Sequence, residues 1–306
     1  MRDMSDRNTT AKPAGEPFPD DYTVMFRGHD EAIGGFRPHA DALDAFREAF
    51  KVSGDWFRGR DDDPYVTYVV VRDKNPQGCW ESAPGENDAF EAMSVGLVAM
   101  LSQFGDDGHV ARRVRSWCSS RIRKVVKRAS GQKWNRIARE AMSREGDDIA
   151  EGLAPMHGAV LVDGVGPTCA SVIVFAPMRA SSQPASLRRL QVSGLSLDRA
   201  VWKPPVTGPV LRIAIDRGTE MTTGKAIAQA GHAVQLAFRC LDDAKYGRWA
   251  SAGFHVDVSY GDIEGMSMAM QPDITVTDAG FTEVRPGTRT CSAWMADEAV
   301  PIVSFE

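Results

Sequence analysis

The chain has 306 residues, 43% hydrophobic and 25% charged, with a formal net charge of −5. That length supports one large core or two ordinary ones, and the composition is that of a soluble globular chain rather than a disordered or fibrous one. No run of eighteen apolar residues occurs, which excludes an ordinary membrane-spanning helix, and the scattered cysteines (Cys79, Cys118, Cys169, Cys240, Cys291) exclude a disulfide framework or a cysteine zinc site.

Residues 1 to about 20, rich in Thr, Asp, Pro and Gly, read as a disordered tail without a secretory apolar segment. A reduced, cytoplasmic protein without metal or organic cofactor is the expectation. Leu43, Phe46 and Phe50 recur at helical spacing and predict one amphipathic helix within 38–57. RGRDDDP closes this leader, assigned to residues 1–62.

From Tyr65 helices and strands alternate. YVTYVVVR is a β-branched strand, and DAFEAMSVGLVAMLSQF is a helix with Asp88 as its N-cap. RIRKVVKRA reads as a strand, with helix as the alternative. KWNRIAREAM is helical, and GAVLVDG and ASVIVFAPM are strands. A Pro- and Ser-containing connector then ends at the joint Lys203 to Pro209, so an N-terminal module is assigned to 63–205. The module at 206–306 repeats the pattern: strand VLRIAI, helix TTGKAIAQAGHAVQLAFRCL, strand FHVDVSY, short helix IEGMSMAM, strands DITVTDAG and TRTCSAWM. This alternation predicts an α/β fold, a mixed sheet flanked by helices in three layers. Trp117 and Trp249 each precede a strand, and VLVDGVG lies over TVTDAGF so that Asp163 meets Asp278. These matches point to two stacked modules from an internal duplication, with chance resemblance of two α/β modules as the alternative.

Charge is unevenly spread. Residues 111–139 hold eleven of the chain's 36 basic residues and none of its 41 acidic ones. Two readings stay open: a solvated face on two adjoining elements, or a basic surface for nucleic acid formed by Arg121, Arg123, Lys124, Lys127 and Arg128. Trp117 and Trp134 fall within the run, either to stack on a base or to fill a core.

The helix GKAIAQAGHAVQLA, Gly224 to Ala237, carries Lys225, Gln229 and His232 within roughly 60° of one another at about 100° per residue. Ile227, Ala230, Val234, Ala237, Phe238 and Leu241 supply the opposite, buried stripe. The polar three are expected to point together, away from the core. Lys225 beside the exposed N–H groups of a helix start concentrates positive potential, which suits an anion or a developing oxyanion. The alternative is an ordinary exposed lysine and a packed histidine. A P-loop does not fit: five residues separate Gly218 from Gly224, and Ala226 follows Lys225 where a hydroxyl is required.

DAGFTEVRPGTRT, Asp278 to Thr290, follows an apolar strand and turns back at Pro286-Gly287, so Thr282 and Thr290 are expected to approach Asp278 from two arms. A carboxylate, two hydroxyls and a facing lysine orient water and stabilise charge in a hydrolysis. Ordinary turn chemistry is the alternative.

GKAIAQAGHA together with DAGFTEVRPGTRT resembles the type-2 peptidyl-tRNA hydrolase family, in which a GK-x-x-A-Q-x-x-H-A helix pairs with a DAG-x-T…PGT-x-T segment. The resemblance covers residues 208–295. Upstream, RIRKVVKRASGQKW and LRRLQVSGLSL look like the N-terminal half of longer actinobacterial members. The resemblance implies a hydrolase that cleaves the ester between a peptide and tRNA. Lys225 and Asp278 would be its active-site pair, Thr282 and Thr290 its supporting hydroxyls, and Gly224, Gln229 and His232 motif support. It implies no cofactor and peptidyl-tRNA as partner; the duplication, for its part, suits a monomer that is internally a pseudo-dimer, with a homodimer as the alternative. Two places depart: Phe281 stands where the family commonly has Arg, and Asp216-Arg217-Gly218 where it has Arg-Thr-Asp. These departures keep open a non-catalytic RNA-binding protein that retains the fold. The first module, whose helix has no Lys or His and whose GVGPTCAS lacks paired threonines, is expected to be catalytically empty.

Overall fold

A computed structural model describes residues 23–26, 33–34, 40–52, 62–75, 83–102, 108–118, 123–143, 158–166, 168–198, 208–280 and 283–296. The tail at 1–20 lies outside them. The first half contains strands β1 (Thr23–Phe26), β2 (Ile33–Gly34), β3 (Tyr65–Arg72), β4 (Lys124–Ala129), β5 (Val160–Val165), β6 (Ala170–Val174) and β7 (Met178–Arg179). Its helices are α1 (Ala40–Val52), α2 (Glu86–Ser102), α3 (Gly108–Cys118), α4 (Gly131–Met142) and the single turn α5 (Ala185–Arg188). The second half runs β8 (Val210–Asp216), α6 (Thr223–Cys240), α7 (Asp243–Ser251), β9 (Val256–Gly261), α8 (Ile263–Ala269), β10 (Ile274–Thr277) and β11 (Arg289–Ala296).

The protein is mixed α/β. One sheet has the order β2-β1-β5-β6-β3-β4, with β7 also paired to β3; the other has the order β10-β11-β8-β9. Each is built on a β-branched, doubly covered strand: Val66 to Val71 of β3 and Val210 to Ile215 of β8 are buried, as central strands with helices on both faces require. The cores of the two halves repeat one topology. β3 is parallel to β4 and antiparallel to β6, which is antiparallel to β5; β8 is parallel to β9 and antiparallel to β11, which is antiparallel to β10. The hydrogen bonds match in detail. Arg123 O accepts from Thr67 N–H at 3.0 Å and from the Trp117 indole at 3.1 Å. In the second half His255 O accepts from Leu211 N–H at 3.0 Å and from the Trp249 indole at 2.8 Å.

Helices α2 and α6 lie side by side between the sheets. Each packs on its own sheet and touches the parallel edge strand of the other, α2 on β9 and α6 on β4. Such a layer needs close approach, and two glycines provide it. A Cβ on Gly96 would sit 2.7 Å from Val174, and one on Gly231 would sit 3.0 Å from Met93 Sδ and 3.2 Å from Lys124 Cδ. The C-terminal end of α6 is held by an aromatic cluster in which Phe238 is 5.3 Å from Trp249, 5.7 Å from Phe254 and 5.4 Å from Phe46. Truncating Phe238 to Ala would cost about 3–5 kcal/mol.

The 1–62 segment is not a bystander. β1 pairs antiparallel with β5, while Arg47 of α1 donates to Phe238 O (3.2 Å) and Leu241 O (2.7 Å), satisfying carbonyls that the end of α6 leaves orphaned. Leu43 and Phe46 of α1 are buried as its spacing predicts; the Phe50 side chain lies outside the described residues.

The basic run departs from the expectation of a single surface. α3 packs Val110, Val114 and Trp117 into the inter-sheet core, whereas α4 packs Trp134 and Ile137 on the opposite face of the first sheet. The exposed Arg112 and Arg115 of α3 are thus parted by the sheet from the exposed Lys133, Arg136 and Arg139 of α4. Both tryptophans fill cores and present no stacking face to solvent. Among the described residues no helix is long and apolar enough to cross a membrane.

Candidate functional site

Thr222 starts α6 as its N-cap, its Oγ1 accepting from Lys225 N at 3.3 Å. The same Thr222 donates its N–H and its hydroxyl to the two oxygens of Glu283, each at 2.8 Å, which pins the return arm of the Asp278–Thr290 hairpin to the helix start. Gly224 lies against the first half of the chain: a Cβ there would be 3.8 Å from Val126 of β4 and from Val192 O. The helix start therefore sits at the junction of the two sheets.

Asp278 stands at the end of β10. Its backbone is locked into the hairpin, the N–H donating to Thr288 O and the carbonyl accepting from Gly287 N–H, both at 2.8 Å. Gly280 takes φ +76° and donates its N–H to Asp278 Oδ1 at 2.7 Å. Its backbone lies so near Pro286 that a Cβ would fall 2.4 Å from Pro286 Cγ, so only glycine suits this turn. Into this cradle α6 extends two side chains: Lys225 Nζ meets Asp278 Oδ2 at 2.5 Å and Gln229 Nε2 donates to the same oxygen at 2.7 Å. The Lys225 and Asp278 side chains are 13% and 9% exposed.

Lys225, Gln229 and His232 do share one face of α6; Lys225 and His232 are partly exposed on it, whereas Gln229 between them is turned inward. Gln229 is 2% exposed, and the helix is buried almost all round because both sheets and α2 enclose it. Thr290, fully buried, donates to Gln229 Oε1 at 2.9 Å, so its hydroxyl reaches Asp278 only through that amide. This corrects the expected direct approach. Phe281 and Thr282 lie outside the described residues. Among the described residues Asp163 meets no lysine: it accepts from Ser171 Oγ at 2.5 Å and lies 3.7 Å from Arg72. Asp88, the expected N-cap of α2, lies inside the first turn and accepts from Thr168 N–H (3.0 Å) and Oγ1 (2.5 Å).

Partial burial pushes the Asp278 carboxyl up, but the hydrogen bond from Lys225, aided by Gly280 N–H, the Lys225 charge and Gln229, outweighs burial and holds it below its usual range. Asp278 is thus a fixed anion. Three donors occupy a carboxylate with about four acceptor positions, leaving capacity on Oδ1 for one more, such as a water.

His232 turns to the other half of the chain. Its Nδ1 is 3.0 Å from Lys124 Nζ, which also donates to Gln235 Oε1 at 2.5 Å and lies 4.7 Å from the centre of the Trp117 ring. Gln235 Nε2 in turn meets Cys118 Sγ at 3.4 Å. Burial lowers Lys124 well below the ordinary lysine range, and burial with the Lys124 and Lys225 charges does the same to His232.

Lys124 and Lys127 are 9% and 5% exposed, so neither belongs to an open basic surface as expected. β4 is an edge strand whose side chains are covered by α6 on one face and by Tyr68 and the connector on the other. Lys127 Nζ donates to Leu190 O at 3.4 Å and lies 5.7 Å from the Tyr68 ring centre. Arg128 pairs with Asp73 at 2.8 Å and donates to Ser193 O and Gln191 Oε1. Arg123 is partly buried, and Arg121 lies outside the described residues. Asp216, at one departure from the family pattern, accepts from the Thr219 hydroxyl. Among the described residues no group of three or more His, Cys, Asp or Glu is placed to hold a metal ion, and Cys118, Cys169, Cys240 and Cys291 are free thiols.

Sequence reading missed Gly280, Glu283, Lys124 and Gln235 as parts of this neighbourhood. Only Gly280 left a signal, as the glycine of a DAG turn; the others acquire partners through tertiary packing alone. Comparison of the chain with protein-family models, with curated proteins and with solved structures finds no match.

Proposed function

We propose that the protein is a peptidyl-tRNA hydrolase, cleaving the ester between a peptide's terminal carboxyl and the 3′ ribose of tRNA. The observation that carries the reading is the contact of Lys225 with Asp278 at a strand end beside a helix N-terminus. These two residues come from the two motifs, GKAIAQAGHA and DAGFTEVRPGTRT, that resemble the type-2 peptidyl-tRNA hydrolase family.

The chemistry follows from the charges. Asp278, held below the usual carboxylate range, is a weak base; its part is to orient a water at Oδ1 for attack on the ester carbonyl. Lys225 stabilises the oxyanion that forms, or binds the terminal phosphate. Thr290 holds Gln229, and Gln229 with Gly280 holds Asp278. Thr282 is assigned a supporting hydroxyl on the strength of the motif. No cofactor enters the reaction as written. The two modules are proposed to descend from an internal duplication, their shared strand order and matched tryptophan hydrogen bonds supporting it. The first has lost the chemistry and encloses the second's helix, which makes a monomeric pseudo-dimer acting in the cytoplasm the natural state. The test is release of free tRNA from a purified peptidyl-tRNA: turnover supports the reading, and a salt-sensitive complex without turnover replaces it with an RNA-binding role.

A further inference from the structure

Along one face of α6 the polar side chains form a continuous seam: Lys225 and His232, partly exposed, and Gln229 and Gln235, buried. The first two serve Asp278. The last two converge on Lys124, which belongs to β4 of the first module. A lysine buried this deeply with no carboxylate beside it among the described residues is costly, and the side chain runs over Gly231, where any larger residue would press on its Cδ. Core packing alone would be served as well by leucine or methionine.

Lys124 Nζ faces three electron-rich groups: the Gln235 amide oxygen at 2.5 Å, the His232 Nδ1 at 3.0 Å and the Trp117 ring face at 4.7 Å. An amide oxygen and a ring face only accept, so they take two of the Lys124 N–H bonds, and the ammonium form has a third, which faces His232 Nδ1. With Nδ1 accepting that third bond the ring proton resides on Nε2; the tautomer settles the direction of the contact. His232 lies seven residues from Lys225, two helical turns along the same face, and is partly exposed.

We propose that Lys124 is a positioning residue supplied by the first module to the second module's site: by donating to His232 Nδ1 it holds that imidazole in the Nε2–H form, an uncharged donor for an oxygen of the tRNA 3′ end bound beside Lys225. The role rests on the hydrolytic reading above; the hydrogen bond does not. It gives the chemically empty module a function in the reaction, since removing it would leave the imidazole without a fixed tautomer. The depressed proton affinity of His232 keeps the ring neutral near pH 7, so it donates without carrying a proton away.

The test has two arms on the full chain. In the first, ¹⁵N–¹H correlation of histidine-labelled wild type, with His232 assigned through His232→Gln, reads the tautomer directly. Nε2–H is expected; Nδ1–H overturns the proposal. In the second, Lys124→Met, which fills the same space without a donor, is expected to lower kcat on peptidyl-tRNA on the order of tenfold with KM little changed, and to mix the two tautomers of His232. His232→Gln, which keeps an N–H near the Nε2 position, retains kcat within a few-fold, and His232→Phe does not. If Lys225→Ala abolishes hydrolysis while Lys124→Met leaves kcat and the tautomer unaltered, this proposal fails and the hydrolytic reading survives. If wild type releases no tRNA, the hydrolytic reading fails and takes the positioning role with it, whereas the tautomer still decides the hydrogen bond. The wild-type measurement needs no variant, so a Lys124→Met chain that does not fold leaves the proposal open to refutation.

Discussion

Lys225 Nζ and Asp278 Oδ2 meet at 2.5 Å although 53 positions separate them in sequence. The contact depends on three local devices: the Thr222 cap that starts α6, the Glu283 arm that clamps this start to the hairpin, and the Gly280 turn that aims the carboxylate. Breaking any one of them displaces the pair without touching either member.

Gly280→Ala is the sharpest of these changes. The added Cβ collides with Pro286, and the positive φ is strained for alanine by itself, on the order of 1–3 kcal/mol. Thermal unfolding should shift down, and tRNA release should fall with it as Asp278 loses its Oδ1 donor. Wild-type melting and wild-type release would show that the turn does not aim the carboxylate.

Thr290→Val removes the donor to Gln229 Oε1 inside the core, at a cost of about 1–3 kcal/mol for the amide oxygen left unmet. Thr290→Ser keeps the hydroxyl and should restore most of the stability and the rate. If valine and serine behave alike in denaturant melts, the hydroxyl is not the link between Gln229 and β11.

Acid should unfold the protein in two windows. Burial lowers His255 from 6.5 to about 4, so through that interval the unfolded chain binds a proton the folded one refuses, and stability drops as pH falls from 6.5 to 4. Asp278 acts lower. Its folded value is depressed below the ordinary 3.8, so its contribution is present above 3.8 and disappears as pH falls through the folded value. His232, also held below its usual range, contributes to the same upper window, so His255→Gln should reduce the slope there without abolishing it and leave the lower window alone, measured as denaturant midpoint against pH; an unchanged upper slope contradicts the assignment.

The two faces of the first sheet give a test of where tRNA lies. α3 shares the inter-sheet layer with α6, and α4 does not. Reversing Arg112 and Arg115 to Glu should therefore raise KM and make binding less salt-dependent, the log–log slope becoming shallower by about 0.7 for each phosphate no longer neutralised. Reversing Lys133 and Arg139 should leave both unchanged. Equal effects from the two sets would mean that the sheet does not divide the binding surface.

Much of this architecture was legible in the chain. YVTYVVVR, VLRIAI and TRTCSAWM are strands because β-branched and alternating residues fit doubly or singly covered sheets, and the glycine and proline punctuation marked the loops. The apolar stripes of α3 (Val110, Val114, Trp117) and α7 (Tyr246, Trp249) were thin and lay among charges, so neither helix was expected. β1 escaped because four residues carry no period; its pairing with β5 is a tertiary fact. At the site the sequence put Lys225 and Gln229 on one face correctly. It could not say that Gln229 on this face is sealed from solvent, because that depends on a second sheet closing over α6. Nor could it say that Lys124 and Lys127 turn away from solvent, since the burial of a long cation is decided by the ring faces and carbonyls that tertiary packing brings to it.

The account is tested most directly by single-turnover release of tRNA from a peptidyl-tRNA, comparing wild type with Lys225→Ala and Asp278→Asn. Wild type should release tRNA, and Lys225→Ala should be slower by about a hundred- to a thousandfold with its fold intact by circular dichroism. No release by wild type, or equal rates from a folded Lys225→Ala chain, would contradict it.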